Sequence, residues 1–243
     1  MLYLILSIVI QVILIIHVIK TGRNQIWIWV LALLSLPGAI AYIVVELLPD
    51  VFRSRTAQRT ARGLKKAMDP TADLRRYENE ARVTGNVASR QRYAEELTRQ
   101  GRYDDAIAQF REALTGLYAH DPNLMLGVAR AQFGKGDATA ARATLDELIR
   151  QNPDFKSPEG HLLYARSLET EGNIEKAIEE YRVLAGSYPG AEAAVRFAQL
   201  LKAQGRIDES RQVARDLLEQ ARIAPAHYRR AQKSWLDAAE RLA

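Results

Sequence analysis

Cysteine is absent from all 243 residues, which excludes disulfides, thiolate metal sites and cysteine nucleophiles. Histidine is scarce: His17, His120, His161 and His227 are the only four. They form no His-Glu-x-x-His pair, and a Gly-rich phosphate loop and a nucleophile elbow are missing as well. Charge of one sign is lacking over most of the chain, since the residues after Lys66 carry 26 basic and 27 acidic side chains. The net charge of +5 therefore resides in a short stretch, Asp50 to Lys66, with six basic residues against one acid. A nucleic-acid-binding domain would show a basic face, so nucleic acid is not an expected partner. Acid pairs such as Asp104-Asp105 and Glu179-Glu180 fall at positions where a helix faces solvent and carry no catalytic geometry.

Apolar residues crowd into the first 48 positions. Leu2 to Ile19 is interrupted only by Ser7, Gln11 and His17, a length and purity that suit a short membrane-crossing helix. A cleaved signal would show a positive n-region and a small-residue cleavage site, and neither is present. After a polar turn at Lys20 to Gln25, a second apolar run spans 26–48, with Trp27 and Trp29 where indole rings suit a headgroup boundary. Ala32, Ser35 and Ala39 form a small-residue stripe for close helix packing. Pro37-Gly38 predicts a kink. Residues 1–49 are thus expected to be a two-helix transmembrane hairpin with spans at about 2–19 and 26–48.

The run from Trp29 through Pro37-Gly38 to Tyr42 resembles the N-terminal membrane hairpin of cardiolipin synthases and related phospholipase D-type proteins. That resemblance implies a membrane anchor. The catalysis of that family rests on His-x-Lys motifs, and none of the four histidines here has a lysine two positions later. The resemblance therefore extends to the anchor and not to the chemistry.

Residues 50–68 form a basic juxtamembrane linker carrying Arg53, Arg55, Arg59, Arg62, Lys65 and Lys66. Two readings are open: a surface helix whose basic side meets anionic lipid, or a stop-transfer cluster that only fixes topology. By the positive-inside rule, this cluster outweighs Lys20 and Arg23 in the turn, placing the rest of the chain in the cytoplasm. The hairpin's resemblance suggests a bacterial inner membrane.

Residues 69–243 are periodic. Gln100 to Leu114 opens at Gly101 and continues as a helix with Ala106, Phe110 and Ala113 on one face, complementing Ala94 and Leu97 upstream. The pattern returns after Gly136 (Ala141, Leu145, Leu148), after Gly172 (Ala177, Tyr181, Leu184) and after Gly205 (Ser210, Ala214, Leu217). The glycines stand 35, 36 and 33 residues apart. This resembles the tetratricopeptide repeat (TPR), a helix-turn-helix unit of about 34 residues. The resemblance implies an all-α, right-handed superhelix of about four repeats with flanking capping helices. The hairpins are expected at 86–116, 121–152, 157–187 and 190–221, the first having a longer second helix near Thr115–Ala119. Asp69-Pro70, Asp121-Pro122 and Ser157-Pro158 are N-caps followed by proline at the first helical position. A lone helix from Thr71 to Thr84 and a last one from Pro225 to Leu242 cap the array. The latter is expected to turn Tyr228, Ala231, Trp235 and Leu236 inward.

In TPR arrays the first helix of each pair lines a binding groove. The resemblance puts Gln91, Glu95 and Arg99 there from the first repeat and Leu126, Arg130 and Phe133 from the second. Leu162, Arg166 and Glu169 follow from the third, and Val195, Gln199 and Lys202 from the fourth. Arg130 and Arg166 hold equivalent positions in adjacent repeats, so a converging arginine pair is one reading and two surface arginines paired with neighbouring glutamates is the other. The groove asparagines of the carboxylate-clamp members that bind chaperone tails are lacking. The expected function is a non-enzymatic, membrane-tethered scaffold that recruits a protein or peptide, without cofactor, metal or small-molecule substrate. The alternative is an accessory subunit of a phospholipid-synthesising enzyme.

Overall fold

In the computed structural model, residues 2–22, 24, 26–47, 69 and 71–243 are described, the side chains of residues 2–7, 35, 36 and 47 excepted. The chain divides into two compact units, Met1–Ala72 and Asp73–Ala243. The basic linker residues Arg53, Arg55, Arg59, Arg62, Lys65 and Lys66 lie outside the described residues.

The first unit pairs α1 (Leu2–Thr21) with α2 (Ile26–Tyr42), which runs on into a π turn, Ile43–Leu47. Leu14 and Val18 of α1 are buried with Leu31, Ala39 and Tyr42 of α2. Two polar links cross this seam. Gln11 Nε2 donates to the Leu31 carbonyl at 2.7 Å, and His17 Nδ1 lies 2.9 Å from the Tyr42 hydroxyl.

The run from 26 to 48 is not the single crossing helix expected from its apolarity. Trp27 and Tyr42 meet edge to face with ring centroids 5.4 Å apart, and Trp27 Nε1 donates to Glu46 Oε1 at 2.9 Å. Fifteen residues of straight helix would separate those ends by about 22 Å. The helix therefore bends back sharply around Pro37, which has no N–H to give. Gly38 makes the turn possible, because a Cβ there would lie 2.4 Å from the Val30 carbonyl oxygen. Each limb is too short to traverse a hydrocarbon core that needs about 20 residues. Among the described residues no helix is long and apolar enough to cross a membrane. Of the small-residue stripe, Ala39 is buried, Ala32 is exposed, and Ser35 lies outside the described side chains.

The second unit is a stack of helices with no strand among the described residues. A single helix, α3 (Ala72–Thr84), precedes four helical hairpins. These are α4 (Val87–Arg99) with α5 (Tyr103–Ala113), then α6 (Pro122–Lys135) with α7 (Ala138–Gln151). The third is α8 (Pro158–Thr170) with α9 (Ile174–Ser187), and the fourth α10 (Glu192–Ala203) with α11 (Ile207–Ile223). Two short helices close it, α12 (Ala226–Ala231) and α13 (Lys233–Glu240).

Local chemistry explains these starts and stops. Asp121 accepts from the backbone N–H groups of Asn123 and Leu124, both at 3.0 Å, and the Ser157 hydroxyl accepts from Gly160 N at 3.0 Å. Each is followed by proline, so donors that would otherwise be orphaned are capped or absent. Gly101, Gly136, Gly172 and Gly205 all take positive φ, 75 to 95°, which side chains resist. That is why the repeat is punctuated by glycine.

Packing follows the expected stripes. Ala94 and Leu97 meet Ala106, Phe110 and Ala113, with Leu124 and Val128 of the next repeat completing the cluster. Tyr181 and Leu184 fill the corresponding space in the third repeat.

Two expectations fail here. The helix ending the first hairpin does not lengthen: α5 stops at Ala113, and Gly116–Tyr118 form a 3₁₀ turn, with Gly116 at φ 54° breaking the helix. The terminal helix is broken at Gln232, whose Oε1 accepts the Ala191 backbone N–H at 3.1 Å. Leu236 and Ala239 are buried, Tyr228 and Trp235 are half-buried, and Ala231 is exposed rather than inward.

Candidate peptide groove

Side chains four and three apart on a helix share a face, and α4, α6, α8 and α10 present such faces in succession. The structure divides the twelve expected groove residues into three groups. Leu126, Leu162 and Val195 are core residues, 5% exposed or less. Each is covered by the next element along the stack: Leu126 approaches Gly160 of α8, Leu162 packs with Ala193 and Phe197 of α10, and Val195 packs with Leu236 and Ala239 of α13. These three apolar positions thus lie among the helices, and Leu126 lines a cavity between the second and third repeats.

A second group is engaged locally. Gln91 Nε2 donates to Glu95 Oε1 at 3.0 Å, and Arg99 pairs with Glu96 at 2.7 Å. Arg130 pairs with Glu159 at the start of α8, both side chains largely exposed. Gln199 and Lys202 are exposed at the fourth repeat.

The third group converges. The Arg166 guanidinium lies over the Phe133 ring, 4.7 Å from its centroid. Burial, and then the positive charge of Arg196, push the Arg166 pKa down. The carboxylates of Glu192 and Glu169 act in the opposite direction. Glu169, one turn along α8, is held from below: the buried Tyr181 hydroxyl donates to it at 2.6 Å. Burial and the adjacent carboxylate push the Tyr181 phenol well above its usual range. Arg196 is bound to Glu192 at 2.7 Å and lies 5.4 Å over the Trp235 ring. Tyr188, raised by burial and by Glu192 and Glu159, completes the surroundings.

Arg196 and Trp235 were not legible in the repeat pattern. Arg196 lies one turn before the position equivalent to Arg166, and Trp235 belongs to the cap. The arrangement holds aromatic rings behind two guanidinium groups, which suits a carboxylate flanked by apolar surface. Among the described residues no group of three or more His, Asp or Glu side chains could hold a metal ion.

Residues 97–167 match the family model of the tetratricopeptide repeat. The second unit has the fold of a tetratricopeptide-repeat stack. The chain is similar in fold to MamA at 20% identity, with 65% of this chain and 93% of that one covered and a TM-score of 0.54. A thermophilic TPR protein of Thermus thermophilus, TTC0263, aligns at 19% identity over 73% of this chain and 96% of its own, with a TM-score of 0.51. Pseudomonas aeruginosa pilF aligns at 17% identity over 92% of this chain and 96% of its own, with a TM-score of 0.52. YrrB, described as a TPR protein with an unusual peptide-binding site, aligns at 15% identity over 68% of this chain and 91% of its own, with a TM-score of 0.50. No curated protein matches the sequence. These likenesses establish the TPR fold; the TPR stack of this chain has its own side chains on the open face.

Proposed function

We propose that the chain is a non-enzymatic adaptor, attached to a membrane by its first unit, whose TPR groove captures an acidic segment of a protein partner. The observation that carries the groove reading is Arg166, a half-buried guanidinium over Phe133 that faces Arg196. A partner carboxylate could accept two charge-assisted hydrogen bonds from this planar guanidinium. The peptide-binding site named for YrrB supports a peptide as the class of ligand. Attachment to a bilayer is supported by the exposed apolar side chains of the first unit, among them Ile8, Ile13, Ile19, Trp29, Leu33 and Val45. So large an apolar surface is unfavourable in water and suits lipid. Joining groove and anchor raises the local concentration of a partner that also touches the membrane.

Affinity capture by the intact chain, followed by mass spectrometry, tests both parts. Arg166→Ala should cost partner capture more than about 1 kcal/mol, as loss of an interface anchor does. Arg130→Ala should cost less, because Arg130 is already bound by Glu159. Equal capture by the parent and Arg166→Ala would refute the groove reading. Loss of partners on exchanging the first 49 residues, with Arg166→Ala silent, would instead favour an accessory of a lipid-synthesising enzyme.

A further inference from the structure

Polar side chains gather at one end of the first unit. The Thr21 hydroxyl donates to the His17 carbonyl at 2.6 Å, and Asn24 Oδ1 accepts the Ile26 N–H at 3.1 Å. The π turn returns to the same place: Glu46 accepts from Trp27 across 19 positions of sequence, and Tyr42 reaches His17. Val30 and Gly38 also meet, since a Gly38 Cβ would stand 2.4 Å from the Val30 carbonyl oxygen. A straight helix would set those two residues about 12 Å apart. The reversal therefore falls between them, and the two limbs run side by side.

The opposite end is apolar. Leu33, Leu34 and Ile40 are exposed there, as is Pro37. Along the limbs Trp29, Ile43, Val44 and Val45 are exposed as well. Glu46 is the one charged residue from Ile26 to Leu47, and it is held at the polar end. Near the reversal, Gln11 Nε2 donates to the Leu31 carbonyl. That acceptor is satisfied within the unit, as a backbone group in hydrocarbon must be. Each limb is about 12–15 Å long, half of a hydrocarbon core of about 30 Å.

We propose that α2 and the π turn form a re-entrant wedge in one leaflet of a lipid bilayer, entering and leaving it by the same face. This rests on the attachment of the first unit to a membrane, and it specifies the depth and sidedness of that attachment. The apolar tip sits near the mid-plane, while Trp27 and Glu46 stand at the headgroup boundary, a place that indole rings favour. The polar turn before α2 and the chain after Leu47 then share a side. Lys20 and Arg23 add to the basic residues after position 50 instead of opposing them, which removes the conflict in the positive-inside count.

The full chain contains no cysteine, so a single introduced thiol reports its own position. Thr21→Cys and Asp50→Cys chains are expressed, and sealed right-side-out and inside-out membrane vesicles are treated with a membrane-impermeant maleimide. Both thiols should label in the same vesicle orientation. Labelling in opposite orientations would overturn the wedge and leave membrane attachment standing. Release of the chain from the vesicles by alkaline carbonate would overturn the attachment itself, and the wedge with it. A second measurement does not depend on vesicle orientation. Nitroxides on a chain carrying Ile26→Cys and Val44→Cys, two exposed positions, should show spin–spin broadening in reconstituted bilayers. A straight helix would hold those residues about 27 Å apart, and an unbroadened spectrum would overturn the wedge.

Discussion

At Gly127 the second repeat passes close against the first. A Cβ at this position would lie 2.5 Å from two atoms of the Phe110 ring, and that ring is buried with nowhere to go. Gly127→Ala should therefore destabilise the stack by about 1–3 kcal/mol through overpacking, despite alanine's better helix propensity. Urea melts of the parent and variant would show it. Tyr181 supplies a second residue-scale prediction, through its hydrogen bond to Glu169. Its folded pKa is raised, so the folded state keeps a proton that the unfolded chain releases above its ordinary pKa of about 10. Stability tied to this phenol is fully present below pH about 10 and falls as pH rises beyond it, by up to about 1.4 kcal/mol per pH unit. Tyr181→Phe should remove that share of the alkaline slope and itself cost about 1 kcal/mol at neutral pH. Denaturation midpoints between pH 8 and 11 would separate the two effects. An unchanged slope would mean that the alkaline loss comes from paired lysines and arginines instead.

Elements were legible where local chemistry fixes them. Asp121-Pro122 and Ser157-Pro158 announced helix starts because cap and proline act within one turn. The glycine spacing announced the turns because each needs a positive φ. What remained hidden depends on contacts far apart in sequence. The break at Gln232 serves the Ala191 N–H, 41 residues earlier. The bend of α2 is held by Trp27 reaching Glu46, so an apolar run that reads as one rod folds back. In the groove, charge was readable and depth was not. The repeat position of Arg166 puts it on the first-helix face, but the burial of Leu126, Leu162 and Val195 follows from the neighbouring elements that pack over them. Two element-scale outcomes follow. Ser157→Ala should cost about 1 kcal/mol, the worth of an N-cap, measured by thermal melting. Gly38→Ala should disrupt the bend in the first unit, because the added carbon meets the Val30 carbonyl. The fluorescence of Trp27, now tied to Glu46, would report it by an emission shift in the full chain.

At the scale of the whole molecule, the core is not one body but a series of clusters, each shared by neighbouring repeats. Such a stack is stabilised by nearest-neighbour terms, so its ends open before its middle. Hydrogen exchange should be slowest in α6 to α10 and fastest in α3 and α12. The Arg196–Trp235 contact couples the C-terminal cap to the groove, so fraying there loosens one of its two guanidinium groups.

The position of Arg166 along that series also fixes a path for mechanical force. If a segment held there is pulled against the N-terminus, the load crosses the first and second repeats. Were those to give way one at a time, each would release about 12 nm of contour for its 35 or so residues, while the third repeat, which carries Arg166, stays folded.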